Sequence, residues 1–129
     1  MIREIVQRIV NTISAWEGIT ANPHRFGGVE FKLGSIEIGH IHSNGMVDIP
    51  FTRKLRETLV ANGDAQPHHL LHDSGWITVF ARTDAEADHA LRLYRLSYLH
   101  KKYRKSADRD ETFALETQAL GFKGIQLYE

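Results

Sequence analysis

Residues 29–51, VEFKLGSIEIGHIHSNGMVDIPF, decide the fold. Apolar and polar residues alternate through most of this stretch, which is the period of a β-strand. A two-residue turn is predicted at Gly34-Ser35 and a second at Asn44-Gly45, because Asn-Gly is the favoured pair for a type I′ hairpin turn. The stretch therefore predicts three antiparallel strands joined by two tight turns.

These two turns also predict which side chains share a face of the sheet. Lys32 is expected opposite Glu37, an opposite-charge pair that supports the pairing. One face is predicted to pack against helices, and its residues are Val29, Phe31, Leu33, Ile36, Ile38, His40, His42, Val47, Ile49 and Phe51. The other face is predicted to hold Glu30, Lys32, Glu37, Ile41, Ser43, Met46 and Asp48. Both histidines of His40-Ile41-His42 are thus expected on the buried face, away from the carboxylates.

The rest of the chain supplies helices and one further strand. Periodicity and capping residues predict helices over 1–18, 53–62, 84–105 and 111–120, a chain break at Asn22-Pro23 and a strand over 76–81. The order is α-βββ-α-β-α, with residues 106–129 forming a C-terminal tail. This order favours one α+β domain over residues 1–129, in which helices pack on one face of an antiparallel sheet.

Composition excludes several classes of function. Sixteen Lys and Arg residues balance sixteen Asp and Glu residues, so the chain lacks the basic excess typical of nucleic-acid-binding proteins. The absence of cysteine excludes disulfides, thiol nucleophiles and cysteine-ligated metals. No apolar run approaches the roughly 20 residues of a membrane span. We expect a cytoplasmic protein that binds a small molecule, with neither nucleic acid nor membrane as partner.

Histidines are the candidate functional residues. His40 and His42 point to the same face of one strand, where they either line a polar cavity or form a hydrogen-bonded structural pair. His68 and His69 lie in the loop before the strand that begins at Trp76. We expect this loop to curl over the same end of the sheet. Buried neutral histidines would have pKa values below about 6.5.

A metal site is the alternative interpretation of the same histidines. Three imidazoles could hold zinc, or iron together with a carboxylate. Because Glu37 and Asp48 are predicted on the opposite face, we expect no metal. Arg56, on the helix after the third strand, is a candidate for stabilising a negatively charged oxygen.

Several short motifs resemble one known family. They are FGGVEF at 26–31, EIGHIH at 37–42, VDIPF at 47–51, PHH at 67–69 and SGWIT at 74–78. In this order and spacing they resemble the bacterial luciferase-domain family, to which the catalytic domain of fungal luciferases is distantly related. The resemblance is strongest over residues 24–100. This sequence is shorter than the fungal enzymes and shows no N-terminal membrane segment like theirs.

The resemblance implies a reaction class. Fungal luciferases oxidise a hydroxylated pyrone with molecular oxygen and without an organic cofactor, and the positions carried over from them are His40, His42, His68 and Trp76. Oxygenation of an enolic or phenolic substrate is therefore expected, with oxygen as co-substrate and no organic cofactor.

Roles within such a site can be assigned from the residue types. His40 or His68 would be the base, His42 its orienting partner and Arg56 the anion stabiliser. The predicted substrate-binding residues are Trp76, His69, Phe31 and Ile49. A module that binds a ligand or a protein partner without catalysis is the alternative.

Overall fold

The computed structural model describes residues 1–24, 27–104 and 109–125. The helices are α1 (Ile2–Ser14), α2 (Arg53–Ala61), α3 (Asp84–Tyr103) and α4 (Ala114–Gln118), with a π-helical turn over Arg109–Phe113 before α4. The strands are β1 (Ile19–Pro23), β2 (Val29–Leu33), β3 (Ile36–Ile41), β4 (Met46–Pro50), β5 (Gln66–Pro67) and β6 (Trp76–Phe80). In the described ranges, no helix has the length and apolar character that crossing a membrane requires.

The strands form one antiparallel sheet in the order β1-β2-β3-β4-β6-β5. The α+β class is therefore confirmed. Two short edge strands were not predicted: β1, where a break was expected at Asn22-Pro23, and β5. Pro23 ends β1 at the edge of the sheet, where a residue without an N–H group costs no hydrogen bond between strands.

α3 packs across the sheet and covers one of its faces. The Tyr94 ring packs edge-on against Phe31 at a centroid distance of 5.6 Å. The Ser97 hydroxyl donates to the carbonyl oxygen of Ile38, and the Tyr94 hydroxyl donates to that of His40. Phe31 and Ile49 are fully buried in the apolar core on this side. We call this the helix face.

The pairing of β2 with β3 differs from the prediction beyond the first turn. Lys32 pairs with Glu37 as predicted, but the register then shifts, so that Phe31 pairs with Gly39 rather than with Ile38. The extra residue in β3 is a β-bulge, and it moves the following side chains to the opposite face. Gly39 therefore lies beneath Tyr94, where a Cβ atom would come within 2.7 Å of the ring.

The turn between β3 and β4 has three residues, not two. The backbone N–H of His42 donates to the carbonyl oxygen of Met46, which makes Ser43, Asn44 and Gly45 the loop. Gly45 has a φ of 89°, as expected for the left-handed residue that ends such a loop. His40 consequently pairs with Asp48 instead of Ile49. The prediction that His40 and His42 lie on the helix face is wrong, because both shifts place them on the other face together with Asp48.

Candidate functional site

Asp48 is the centre of a polar cluster on the face away from the helices, which we call the histidine face. Its side chain is 1% exposed. Oδ2 lies 3.2 Å from Nε2 of His40 and 2.9 Å from Nε2 of His42. The Thr78 hydroxyl on the neighbouring strand donates to Oδ1 at 2.7 Å. Three adjacent strands, β3, β4 and β6, therefore build the cluster through side chains of one face.

His40 lies between two carboxylates. Its Nδ1 is 2.7 Å from Oε2 of Glu37, and its Nε2 faces Asp48. Burial alone would lower the pKa of His40, but hydrogen bonds with Asp48 and Glu37 outweigh it and raise the pKa to about 9. The expectation of a pKa below 6.5 is therefore wrong for His40. In the metal-free protein this imidazole is a cation at neutral pH.

Asp48 is ionised at the same time. Burial alone would raise its pKa, but hydrogen bonds from His40, Thr78 and His42 hold the pKa of Asp48 well below its usual range. A buried carboxylate is stable here because its oxygens face hydrogen-bond donors and a cation. The cluster is thus an ion pair inside the protein.

The loop between β5 and β6 adds two more imidazoles to the same carboxylate. Nε2 of His68 lies 3.5 Å and Nδ1 of His69 lies 3.6 Å from Oδ1 of Asp48. Nδ1 of His68 accepts hydrogen bonds from the backbone N–H groups of Leu70 and Leu71, each at 3.1 Å. A neutral His68 therefore carries its proton on Nε2. Burial, the largest effect on this group, lowers the pKa of His68.

These side chains line a cavity of about 460 Å³. The Trp76 ring forms a wall, with its centroid 5.4 Å from that of His40 and 5.9 Å from that of His68. The exposed side chains of Leu70 and Leu71 also line the cavity.

Strand β6 pairs with β4 and β5. Trp76 pairs with Pro50, so the loop before β6 leaves the sheet at the end opposite His42, and the prediction that it curls over the His42 end is wrong. His68 and His69 reach the cluster across the histidine face.

The structure brings together five of the eight predicted site residues: His40, His42, His68, His69 and Trp76. It separates the other three. Phe31 and Ile49, predicted to bind substrate, do not line this cavity, because both are fully buried on the helix face. Arg56, the predicted anion stabiliser, also lies outside the cavity lining, and its Nη1 donates to the carbonyl oxygen of His72.

Four residues of the site were missed from the sequence. His24 stacks on His40 with a centroid distance of 4.2 Å. Asp48, Glu37 and Thr78 supply the hydrogen bonds to the histidines. A correct length for the loop after His42 would have revealed Asp48, since the loop length sets the face of every later residue. We find no sequence signal for His24.

The chemistry open to each imidazole follows from these contacts. His40 already holds a proton between two carboxylates, and the lone pair of His68 is used by two backbone N–H groups. His42 and His69 each approach Asp48 through one ring nitrogen. Among the described residues, the other nitrogen of each makes no hydrogen bond, so these two can accept a proton from a ligand. By these contacts, His42 and His69 are better placed to accept a proton than His40 and His68, the two predicted bases.

Comparison with known proteins finds a similarity over the part of the chain that holds the site. Residues 35–97 match the family model described as Luciferase domain. No curated protein and no solved structure matches the chain. The matched segment runs from β3 to the middle of α3 and holds His40, His42, Asp48, His68, His69 and Trp76. The segment that builds the candidate site is thus similar to the luciferase-domain family.

Proposed function

We propose that this protein binds the anion of a small planar enol or phenol in the histidine-face cavity and oxygenates it. The observation that carries the proposal is the arrangement of four imidazoles around the buried Asp48, beside an aromatic wall. The reaction class comes from the similarity of residues 35–97 to the Luciferase domain. The substrate must bind before it reacts. A pyrone-like molecule offers a flat apolar ring and an acidic oxygen for the cavity to bind.

The two parts of such a ligand have matching surfaces in the cavity. Trp76, Leu70 and Leu71 offer apolar contacts for the ring. His42 or His69 takes the proton of the acidic oxygen, and the imidazolium that results lies beside the anion. Ligand sites commonly combine apolar walls with a few polar groups that set orientation.

The oxygenation step needs no reactant other than the substrate and O₂. Loss of the enol proton to an imidazole leaves an electron-rich carbon, which forms a carbon–oxygen bond with O₂. Two electrons of the substrate reduce O₂ to the peroxide level, and the proton returns to the distal oxygen. The product is a hydroperoxide, formed by addition of one O₂ to one substrate without an external reductant.

Binding is tested with 4-hydroxy-6-methyl-2-pyrone as the probe. We expect saturable binding by calorimetry under anaerobic conditions, weakened at least tenfold in Trp76→Ala and His40→Gln. His72→Gln is the matched control, because His72 is an exposed histidine of the same loop and does not line this cavity. Equal binding by all four proteins, or none by the wild type, would contradict the proposal.

Turnover is tested separately with an oxygen electrode. We expect oxygen uptake that depends on both the pyrone and the protein and that falls in His42→Gln or His69→Gln, depending on which imidazole is the base. Binding without oxygen uptake would instead support the non-enzymatic ligand-binding module and remove the oxygenase part of the proposal.

A further inference from the structure

We infer that His40, His42 and Asp48 form a binding site for a divalent first-row transition-metal ion. One ligand atom from each residue lies within 4.8 Å of the other two. Oδ2 of Asp48 is 3.2 Å from Nε2 of His40 and 2.9 Å from Nε2 of His42. Bonds of about 2.0–2.1 Å at tetrahedral angles separate neighbouring ligand atoms by about 3.3 Å. The observed spacing therefore needs little adjustment to hold an ion.

The shift of register removes the earlier reason for expecting no metal. That expectation depended on carboxylates that point away from the histidines. Asp48 instead lies on their face, and its Oδ2 is within hydrogen-bond distance of Nε2 of both histidines. Two histidines and one carboxylate are a donor set typical of zinc and non-haem iron sites that keep positions open for other ligands.

Hydrogen bonds that orient the proposed ligands support the same three residues. Glu37 accepts a hydrogen bond from Nδ1 of His40, which aims Nε2 at Asp48. Thr78 holds Oδ1 of Asp48 and leaves Oδ2 for the ion. Ligating histidines commonly donate their second N–H to a carboxylate, and ligating carboxylates are themselves hydrogen-bonded.

A second group, made of Asp48, His68 and His69, has a similar spacing. His68 does not suit it. Its Nδ1 accepts two backbone N–H bonds, so neutral His68 has its proton on Nε2, the atom that faces Asp48. Binding a metal through Nε2 would require a proton on Nδ1 and would set three N–H groups against one another.

The inferred ion also sharpens the proposed function. It would use the ring nitrogen of His42 that faces Asp48 and leave His69 outside the ligand set. His69 would then be the proton acceptor for a ligand in the cavity, and the positive charge of the ion would attract the ionised oxygen. The metal site itself can be tested without any organic ligand.

The test uses chelator-treated wild-type protein and zinc alone. We expect one Zn²⁺ per chain by calorimetry and elemental analysis. Nitrogen NMR should show shifts of the ring resonances of His40 and His42, with those of His68 much less affected. This measurement needs no mutation, so it stays informative if a variant fails to fold.

Variants then separate the two possible ligand sets. We expect His42→Gln to weaken zinc binding at least a hundredfold and Glu37→Gln by about 10- to 100-fold. His69→Gln, which changes the rival ligand set, should alter zinc binding much less. His72→Gln is the matched control, because His72 is an exposed histidine of the same loop and does not line the cavity. Near-ultraviolet circular dichroism checks that each variant is folded.

Two outcomes would overturn the inference. One is a wild-type protein that takes up no stoichiometric zinc. The other is binding that His69→Gln abolishes and His42→Gln leaves intact. The pyrone titrations use metal-free protein, so a failure to bind pyrone and a failure to bind zinc are distinguishable.

Discussion

The two faces of the sheet are built from the same strands but follow different physical rules. On the helix face, Phe31, Gly39 and Tyr94 pack closely, and the contacts are mainly apolar. On the histidine face, Asp48 is as deeply buried as the apolar core, but its neighbours are imidazoles and a hydroxyl. Burial on one face removes apolar area from water, whereas burial on the other requires a partner for each charge. We therefore expect changes on the helix face to affect stability, and changes on the histidine face to affect binding as well.

The largest expected effect is the loss of an aromatic ring from the helix face. Phe31→Ala should lower the free energy of unfolding by about 3–5 kcal/mol, because it leaves a cavity beneath Tyr94. Zinc and pyrone binding by the protein that remains folded should change little. Urea titration measures the stability change. The control is Phe80→Ala, since Phe80 is 38% exposed and should cost much less. Equal losses in the two variants would contradict the packing described here.

Asp48→Asn should have a smaller effect on stability and a larger one on binding. The amide keeps the shape and can still accept from Thr78, but it removes the negative charge that faces His40 and His42. We expect a loss of about 1–3 kcal/mol in the free energy of unfolding, together with loss of zinc binding. Asp73→Asn is the control, because Asp73 is an exposed carboxylate of the neighbouring loop. An unchanged zinc affinity in Asp48→Asn would place the ion elsewhere.

A pH-dependent effect is expected from Lys101, which has no carboxylate within ion-pair distance among the described residues. Lys101 donates to the Ser97 hydroxyl at 2.8 Å and to the carbonyl oxygen of Pro50. Burial lowers the pKa of Lys101 to about 7, with Glu37 opposing the shift and Arg104 adding to it. Between this value and the ordinary value of 10.5, the unfolded chain binds a proton that the folded chain has released. The contribution of Lys101 to the free energy of unfolding should therefore increase as pH rises from 7 to 10.

This contribution is isolated by comparison with Lys101→Met. Denaturant titrations of both proteins over that pH range should give a difference that grows with pH in favour of the wild type. The exposed Lys54→Met provides the matched control. A difference between wild type and Lys101→Met that does not change with pH would mean that the ammonium group is solvated in the folded protein.

Features set by local sequence were predicted well. Thr52 and Thr83 cap α2 and α3 through their side chains, as residues of this type do at helix starts. The first hairpin turn and the Lys32–Glu37 pair were also correct. The two-residue strand β5 was not found, because a strand of this length has no periodicity to recognise.

The sheet face on which His40 and His42 lie could not be predicted in the same way. Asn44-Gly45 suits a two-residue turn, but Ser43-Asn44-Gly45 suits a three-residue loop that ends in a left-handed glycine. Local conformational preference does not decide between them. The three-residue loop allows Asp48 to bond with His40 and His42 while Gly39 fits beneath Tyr94. These contacts join residues that are distant in sequence, so the site can be recognised only once the strands are paired.

The most direct test of this account is the nuclear Overhauser pattern of the His40 ring in the wild-type protein. We expect contacts from its ring protons to the rings of Trp76 and His24, whose centroids lie 5.4 and 4.2 Å from that of His40. Contacts from the His40 ring to the Phe31 and Tyr94 rings would contradict it. They would place the histidine on the helix face, away from Asp48, and neither the cavity nor the metal site would exist as described.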